Sequence, residues 1–229
     1  TANRILWGKF FNAGQTCIAP NHLFVHKAVC DQLIGYLREG LHSFYGLDPK
    51  RSPDFGRIIN ERHFDRLAAL MDEGDAVIGG LRDRDACYIA PTVMTGVTLD
   101  SAIMQEEIFG PILPVMAFES IDEVIASIND APKPLALFVF SEDGAVTQQV
   151  LDETSSGGVT VNHTWMHPLV PTLPFGGVGE SGMGAYHGKF SFDTFTHQRA
   201  VHVKPTRTDP PMLYPPYTET TMKVMRFLS

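Results

Sequence analysis

The stretch ILPVMAFESIDEVIASINDAPKPLALFVFSEDGAVTQQVLDETSSGGVTVN, residues 112–162, decides the fold class. Ile112 to Phe118 is an apolar run of strand length, and Asp122 to Asn129 reads as a helix. Leu135 to Phe140 reads as a buried strand, Gln148 to Glu153 closes a second helix, and Val159 to Asn162 is a third strand. Strands that run the same way need a crossover between them, and a helix is the usual one. The alternation therefore predicts an α/β fold: a mostly parallel sheet with helices on both faces.

Upstream, apolar residues at helical spacing mark Val29 to Glu39 (Val29, Leu33, Ile34, Leu37) and Asn60 to Glu73 (Phe64, Leu67, Leu70, Met71) as amphipathic helices. Leu47 to Arg57, with Pro49, Pro53 and Gly56, is a loop between them. Ala76 to Gly80 is a short apolar run ending in glycines, and Tyr88 to Met94 is a strand, or a pair, interrupted by Pro91. The chain opens inside a helix, Ala2 to Phe11, with no Met, lead-in strand or cap, which reads as the start of a fragment. Downstream, His163 to Gly184 is mostly loop, and its length suggests function. Arg199 to Lys204 alternates like an edge strand, Pro205 to Pro216 is linker-like, and Thr218 to Leu228 is a terminal helix.

Composition narrows the partners. The chain has 229 residues, 44% hydrophobic and 19% charged, with a formal charge of −8 spread along it. It has no basic stripe to neutralise phosphates, so nucleic acid is not expected. No apolar run approaches the ~20 residues that span a bilayer, and Thr1 to Phe11 lacks the layout of a signal peptide. A cytoplasmic protein without a stable membrane anchor is expected. Cys17, Cys30 and Cys87 are an odd number with no CxxC pair, and the nine histidines lack ligand spacing. Neither a disulfide framework nor a metal is expected.

Asn12-Ala13-Gly14-Gln15 is a turn signal, and Cys17 follows it just ahead of Pro20 and the apolar Leu23-Phe24-Val25. A free cysteine is most often a small buried hydrophobe. A junction between two elements is a better place to present a thiol than a core helix is. Cys30 and Cys87 have no such context.

Four ordered motifs carry a resemblance. They are Phe11-Asn12-Ala13-Gly14-Gln15-Thr16-Cys17, Glu106-Glu107-Ile108-Phe109-Gly110-Pro111, Lys133-Pro134-Leu135-Ala136-Leu137, and Pro174-Phe175-Gly176-Gly177-Val178-Gly179-Glu180-Ser181-Gly182-Met183-Gly184. In this order and over almost the whole chain, they resemble the aldehyde dehydrogenase superfamily. Gly56-Arg57-Ile58-Ile59-Asn60 and Gly182 to Lys189 are similar to its class 3 branch, which acts on fatty, benzaldehyde-type and coniferyl aldehydes. The tail Leu213 to Tyr217 looks like the same branch.

The resemblance implies a Rossmann-like catalytic domain over 1–196, and a dimerisation edge strand and tail over 197–229. The family's cofactor-binding domain, general-base glutamate and oxyanion-hole asparagine have no counterpart in this sequence. Cys17 is implied as the catalytic thiol, forming a thiohemiacetal and then a thioester. Glu107 and Phe109 are implied to face NAD or NADP. Ile18, Asn162, Trp165 and Phe175 are expected to contact a small-molecule aldehyde, and a homodimer is the expected assembly. Two rival readings stay open: a cysteine-dependent thiol hydrolase or acyl transferase, and an inactive dimerisation fragment. Gly176 to Gly184 superficially suggests a dinucleotide fingerprint, but no strand runs directly into it.

Overall fold

Two strands show why the sheet is covered on both sides. In β5 (Thr92–Thr95) Val93 belongs to one buried cluster and its neighbour Met94 to another; in β6 (Ile112–Phe118) Leu113 and Val115 share the first cluster and Ile112 the second. Successive strand residues point to opposite faces, so both faces carry a core. The first is filled by Ile5, Leu6 and Phe10 of α1 (Ala2–Phe10) and by Leu37 and Leu41 of α2 (Cys30–Tyr45); the second by Phe64, Leu67 and Leu70 of α3 (Glu61–Leu70). The expected helices on both faces are present.

The computed structural model describes residues 1–207 and 209–228. Its larger unit, Thr1–Phe195, contains a four-stranded sheet in the order β1-β6-β5-β2, with β1 at Leu23–His26 and β2 at Asp75–Ile78. β1 and β5 each run parallel to β6, while β2 runs antiparallel to β5. The chain reaches β5 from β2 through a small hairpin, β3 (Arg82–Asp83) and β4 (Tyr88–Ile89), so Pro91 does split the predicted Tyr88 to Met94 strand in two.

α4 (Ile121–Asp130) follows β6, and α5 (Gly144–Glu153) links the parallel pair β7 (Ala136–Val139) and β8 (Gly158–Val161). Ser120, Asp143 and Asn60 start α4, α5 and α3 by accepting hydrogen bonds from N–H groups of the first turn, which otherwise have no partner. Ile125, Val139 and Val150 form the core of this βαβ pair. Two short helices complete the unit: α6 (Met166–Leu169) inside the 163–184 loop and α7 (Gly188–Phe195). The second was not anticipated from sequence. It begins where His187 and Gly188 take left-handed backbone, and the Ser191 hydroxyl accepts from the His187 N–H at 2.8 Å.

The second unit, Thr196–Ser229, carries α8 (Glu219–Leu228), as expected of Thr218 to Leu228. Residues 199–204, expected as an edge strand, pair with no strand among the described residues of this single chain. Alternation supplies the side-chain pattern of a strand, but the element exists only when a second strand accepts and donates its backbone bonds. Thr208 and Ser229, inside the predicted linker and tail, lie outside the described residues. No helix among the described residues is long and apolar enough to cross a membrane, and no group of three or more metal-ligating side chains occurs among them.

Candidate active site

The connection from α1 to β1 is strained where it turns. Asn12 and Ala13 both adopt left-handed backbone, at φ 51° and 52°, and Gly14 follows at φ 74°. Only glycine visits that region without cost, and asparagine tolerates it; for alanine it costs of order 1 kcal/mol. Neighbouring groups hold the strain in place. Asn12 Nδ2 donates to the Gln15 carbonyl at 3.0 Å. The Gln15 side chain donates to Asn12 O at 3.2 Å and Arg57 O at 2.9 Å, and its Oε1 accepts from the Ile59 N–H at 2.9 Å. Gly56 to Asn60, noted above for its class 3 character, is thus the surface against which the cysteine loop is fastened.

The loop ends in a turn in which the Ala19 N–H reaches Thr16 O at 3.0 Å, with Cys17 inside it. Cys17 is exposed, and neither its Sγ nor its backbone N–H has a hydrogen-bond partner among the described residues. The adjacent Ile18 is buried, whereas Cys30 and Cys87 are half-buried free thiols. The predicted junction position of Cys17 is observed.

A second loop abuts the first. A methyl group on Gly14 would stand 2.3 Å from the Gly110 carbonyl oxygen, so the thiol loop and the Phe109-Gly110 loop touch through backbone. Phe109 is exposed and left-handed at φ 53°. Its carbonyl accepts from His63 Nε2 at 2.7 Å. Asn21, four residues past the thiol, accepts from the Ile108 N–H at 2.9 Å. Glu107 sits at the surface, and among the described residues nothing donates to its carboxylate oxygens. Desolvation pushes its carboxyl up, and the charges of Lys9 and Arg66 pull it back down.

Lys9 went unnoticed in the sequence. It is 1% exposed, on the face of α1 that also buries Ile5, Leu6 and Phe10, and its i+4 spacing from Ile5 was the available signal. Burial lowers its ammonium to about 7, against the raising effect of Glu107. Burial, and then the Lys9 charge, lowers His22 to about 4, so this imidazole is neutral at physiological pH.

The remaining predicted residues form two aromatic groups. Trp165, buried and left-handed, meets Phe11 at 4.9 Å and Trp7 at 5.5 Å between ring centroids, which ties it to the start of the thiol loop. Phe175 belongs to the other group, stacked on His187 at 5.8 Å and edge-on to Tyr186 at 5.5 Å, with His167 behind it. Asn162 commits its side-chain amide to Ser141. Its Oδ1 accepts from the Ser141 N–H at 3.0 Å and its Nδ2 donates to Ser141 O at 2.9 Å. It fixes the end of β8.

Fold and site together present one solvent-facing cysteine on a pinned, left-handed loop beside a helix-flanked, mostly parallel sheet. Residues 1–201 match the aldehyde dehydrogenase family, and the chain belongs to that family. It is 53% identical to the 4,4'-diaponeurosporen-aldehyde dehydrogenase of Staphylococcus aureus over 94% of this chain and 48% of that protein. It is 52% identical to the dimeric NADP-preferring aldehyde dehydrogenase of Rattus norvegicus, over 88% and 44% respectively. The solved structure of the substrate-bound state of Staphylococcus aureus AldH superposes with a TM-score of 0.92 at 50% identity, covering 100% of this chain and 50% of that one. The chain spans about half the length of the relatives it matches.

Proposed function

We propose that this chain is the thiol-bearing portion of an NAD- or NADP-dependent aldehyde dehydrogenase that oxidises a hydrophobic aldehyde to its carboxylic acid. The observation that carries the reading is the exposed Cys17, with Sγ and N–H both free, on a loop locked against the Glu107–Gly110 segment. An sp² aldehyde carbon cannot expel hydride until an oxyanion stands beside it. The Cys17 thiolate attacks that carbon, the π pair moves to oxygen, and the thiohemiacetal oxyanion faces the Cys17 N–H, a fixed donor that need not reorganise. As the carbonyl re-forms, hydride leaves and a thioester to Cys17 remains. Water adds to it, the thiolate departs and the acid is released. A base takes up the thiol proton and, in the second half of the reaction, a proton of the attacking water.

The dinucleotide supplies the hydride acceptor. Glu107 suits its ribose, because a carboxylate with unengaged oxygens accepts from both hydroxyls of a diol. Phe109, exposed beside it, offers a face to the nicotinamide end. Ile18, Trp165 and Phe175 line the aldehyde's path, and Asn162 shapes that wall through its backbone. Residues 1–196 act as the catalytic domain, and 197–229 as an edge segment that gains its strand partner from a second copy in a cytoplasmic homodimer.

The test is aldehyde-dependent NAD(P)H absorbance in the protein at full length, with Cys17→Ala as the comparison. Loss of about 10³-fold or more in kcat is expected, the scale on which nucleophile removal acts. NAD(P)H formation that survives the substitution refutes Cys17 as the nucleophile; cofactor-independent thioester hydrolysis as the only activity refutes the reading in favour of a thiol hydrolase, and no activity in either protein refutes it in favour of an inert module.

A further inference from the structure

The segment 106–109 is held by a helix that sequence reading treated only as core. Arg66, on α3, donates from Nη1 to Glu106 Oε1 at 2.8 Å and to Glu107 O at 3.3 Å, and from Nη2 to Ile108 O. One turn earlier His63 Nε2–H donates to Phe109 O, which leaves Nδ1 to accept from Arg66 Nε at 3.4 Å. Four consecutive residues are therefore gripped from one face of one helix. Leu67, next along that helix, packs so closely under Gly110 that a methyl there would meet its Cδ1 at 2.5 Å.

The ion pair to Glu106 is half open to water, and such pairs contribute ~1 kcal/mol or less. Its value is geometric. A guanidinium is a planar fork with several donors in fixed directions, able to bridge successive carbonyls, and a lysine ammonium is not. The Phe109 backbone, left-handed without being glycine, is a conformation that persists only when its surroundings over-determine it.

We propose that Arg66, backed by His63, is the positioning residue that sets the presentation of Glu107 and Phe109 toward the dinucleotide. This rests on the reading above that those two residues face it. Neither Arg66 nor His63 need touch the cofactor. Arg66 acts through three acceptors in a row, and His63 completes the grip while fixing the Arg66 Nε.

The experiment uses full-length Arg66→Lys, Arg66→Met, His63→Phe and the His63→Phe/Arg66→Met pair, with Glu107→Gln as reference. The readouts are cofactor KM, NAD(P)H binding by fluorescence, kcat, Tm and the rate of Cys17 alkylation by iodoacetamide without cofactor. Both Arg66 variants are expected to weaken cofactor binding and raise its KM about tenfold, the scale of a modest misplacement. kcat at saturation should stay within about threefold and alkylation unchanged. The double variant should be no worse than Arg66→Met, as members of one clamp are not additive. An Arg66→Lys enzyme with wild-type cofactor KM overturns the inference, as does a fall in Tm in both Arg66 variants with KM unchanged. If Glu107→Gln raises KM while the Arg66 variants do not, only the clamp fails. If Glu107→Gln is itself silent, the placement of the cofactor fails and takes the clamp with it.

Discussion

The thiol loop and the glycine-rich wall loop both rest on left-handed backbone, yet they are held in opposite ways. Around Cys17, side-chain amides, an imidazole and a guanidinium tie main-chain groups together across the sequence: Gln15 to Arg57 and Ile59, Asn21 to Ile108, His63 to Phe109. From Phe175 to Gly188 the chain is secured mainly by close backbone approach. A methyl on Gly176 would lie 2.1 Å from Gly184 O, and one on Gly177 2.1 Å from Ser181 O. The Phe175 and Tyr186 backbones exchange hydrogen bonds, while Met183 at the tip is 97% exposed. On the function proposed above, directional bonds fix the atoms that would meet the reacting carbon. Close approach, with local bonds such as that of the Ser181 hydroxyl to the Val178 backbone, shapes a surface that on the same proposal selects its occupant by size. On the proposed function the difference assigns rate to one side and selectivity to the other: damage on the thiol side should cost rate, and damage on the wall should cost selectivity.

The sharpest way to break that division is Gln15→Met. It removes two donated hydrogen bonds and one accepted one while keeping side-chain volume, so the Asn12 carbonyl loses its side-chain partner and the left-handed loop loses its ties to Arg57 and Ile59. We expect kcat/KM to fall about 10²-fold, the scale of a displacement near 1 Å at reacting atoms, with a changed rate of Cys17 alkylation. A lower Tm with wild-type kcat/KM and alkylation would show that Gln15 serves the fold alone.

The buried charge gives a second contrast, because the thiol side encloses Lys9 beside Glu107 and His22, while the wall's enclosed titratable group is the neutral-leaning His167. Lys9 binds its proton with a pKa of about 7 in the folded chain against 10.5 ordinarily. Between those values the unfolded chain holds a proton that the folded one lacks, so stability rises with pH across the window. Below about 7 the lysine is charged in both states and the full burial penalty stands. From pH 7.5 to 9.5 the wild type should gain roughly 2–3 kcal/mol from this group, at about 1.4 kcal/mol per unit. Urea unfolding of Lys9→Met should lack that gain and show higher stability at the lower pH. An unchanged pH slope in Lys9→Met would place the charge in solvent.

These contrasts also mark what the sequence could disclose. Alternation of strand and helix was legible because each element buries a face with its own period. α7 was hidden because its start lies in glycine-rich loop and in a left-handed histidine that no propensity favours. Residues 199–204 showed strand alternation, but pairing depends on a partner that the pattern does not contain. Cys17, Glu107 and Phe109 stood out through their motifs. Arg66 and Lys9 did not, since the importance of one lies in acceptors 40 to 42 residues away and that of the other in how deeply its helix face is buried.

The smallest expected effect lies on the wall. Phe175 is half-buried, edge-on to Tyr186 and stacked on His187, so Phe175→Ala removes an aromatic surface without breaking a side-chain hydrogen bond. Its backbone bonds to Tyr186 use atoms that alanine retains. With the loop geometry kept, Cys17 alkylation should be unchanged and kcat for a small aldehyde within about twofold. KM for a bulky aromatic aldehyde should rise about tenfold, the worth of one lost apolar contact in a binding pocket. A profile of KM against aldehyde size checks it. A uniform loss of kcat across all aldehydes would mean that the wall also governs thiol geometry, and the division between a rate side and a selectivity side would fall.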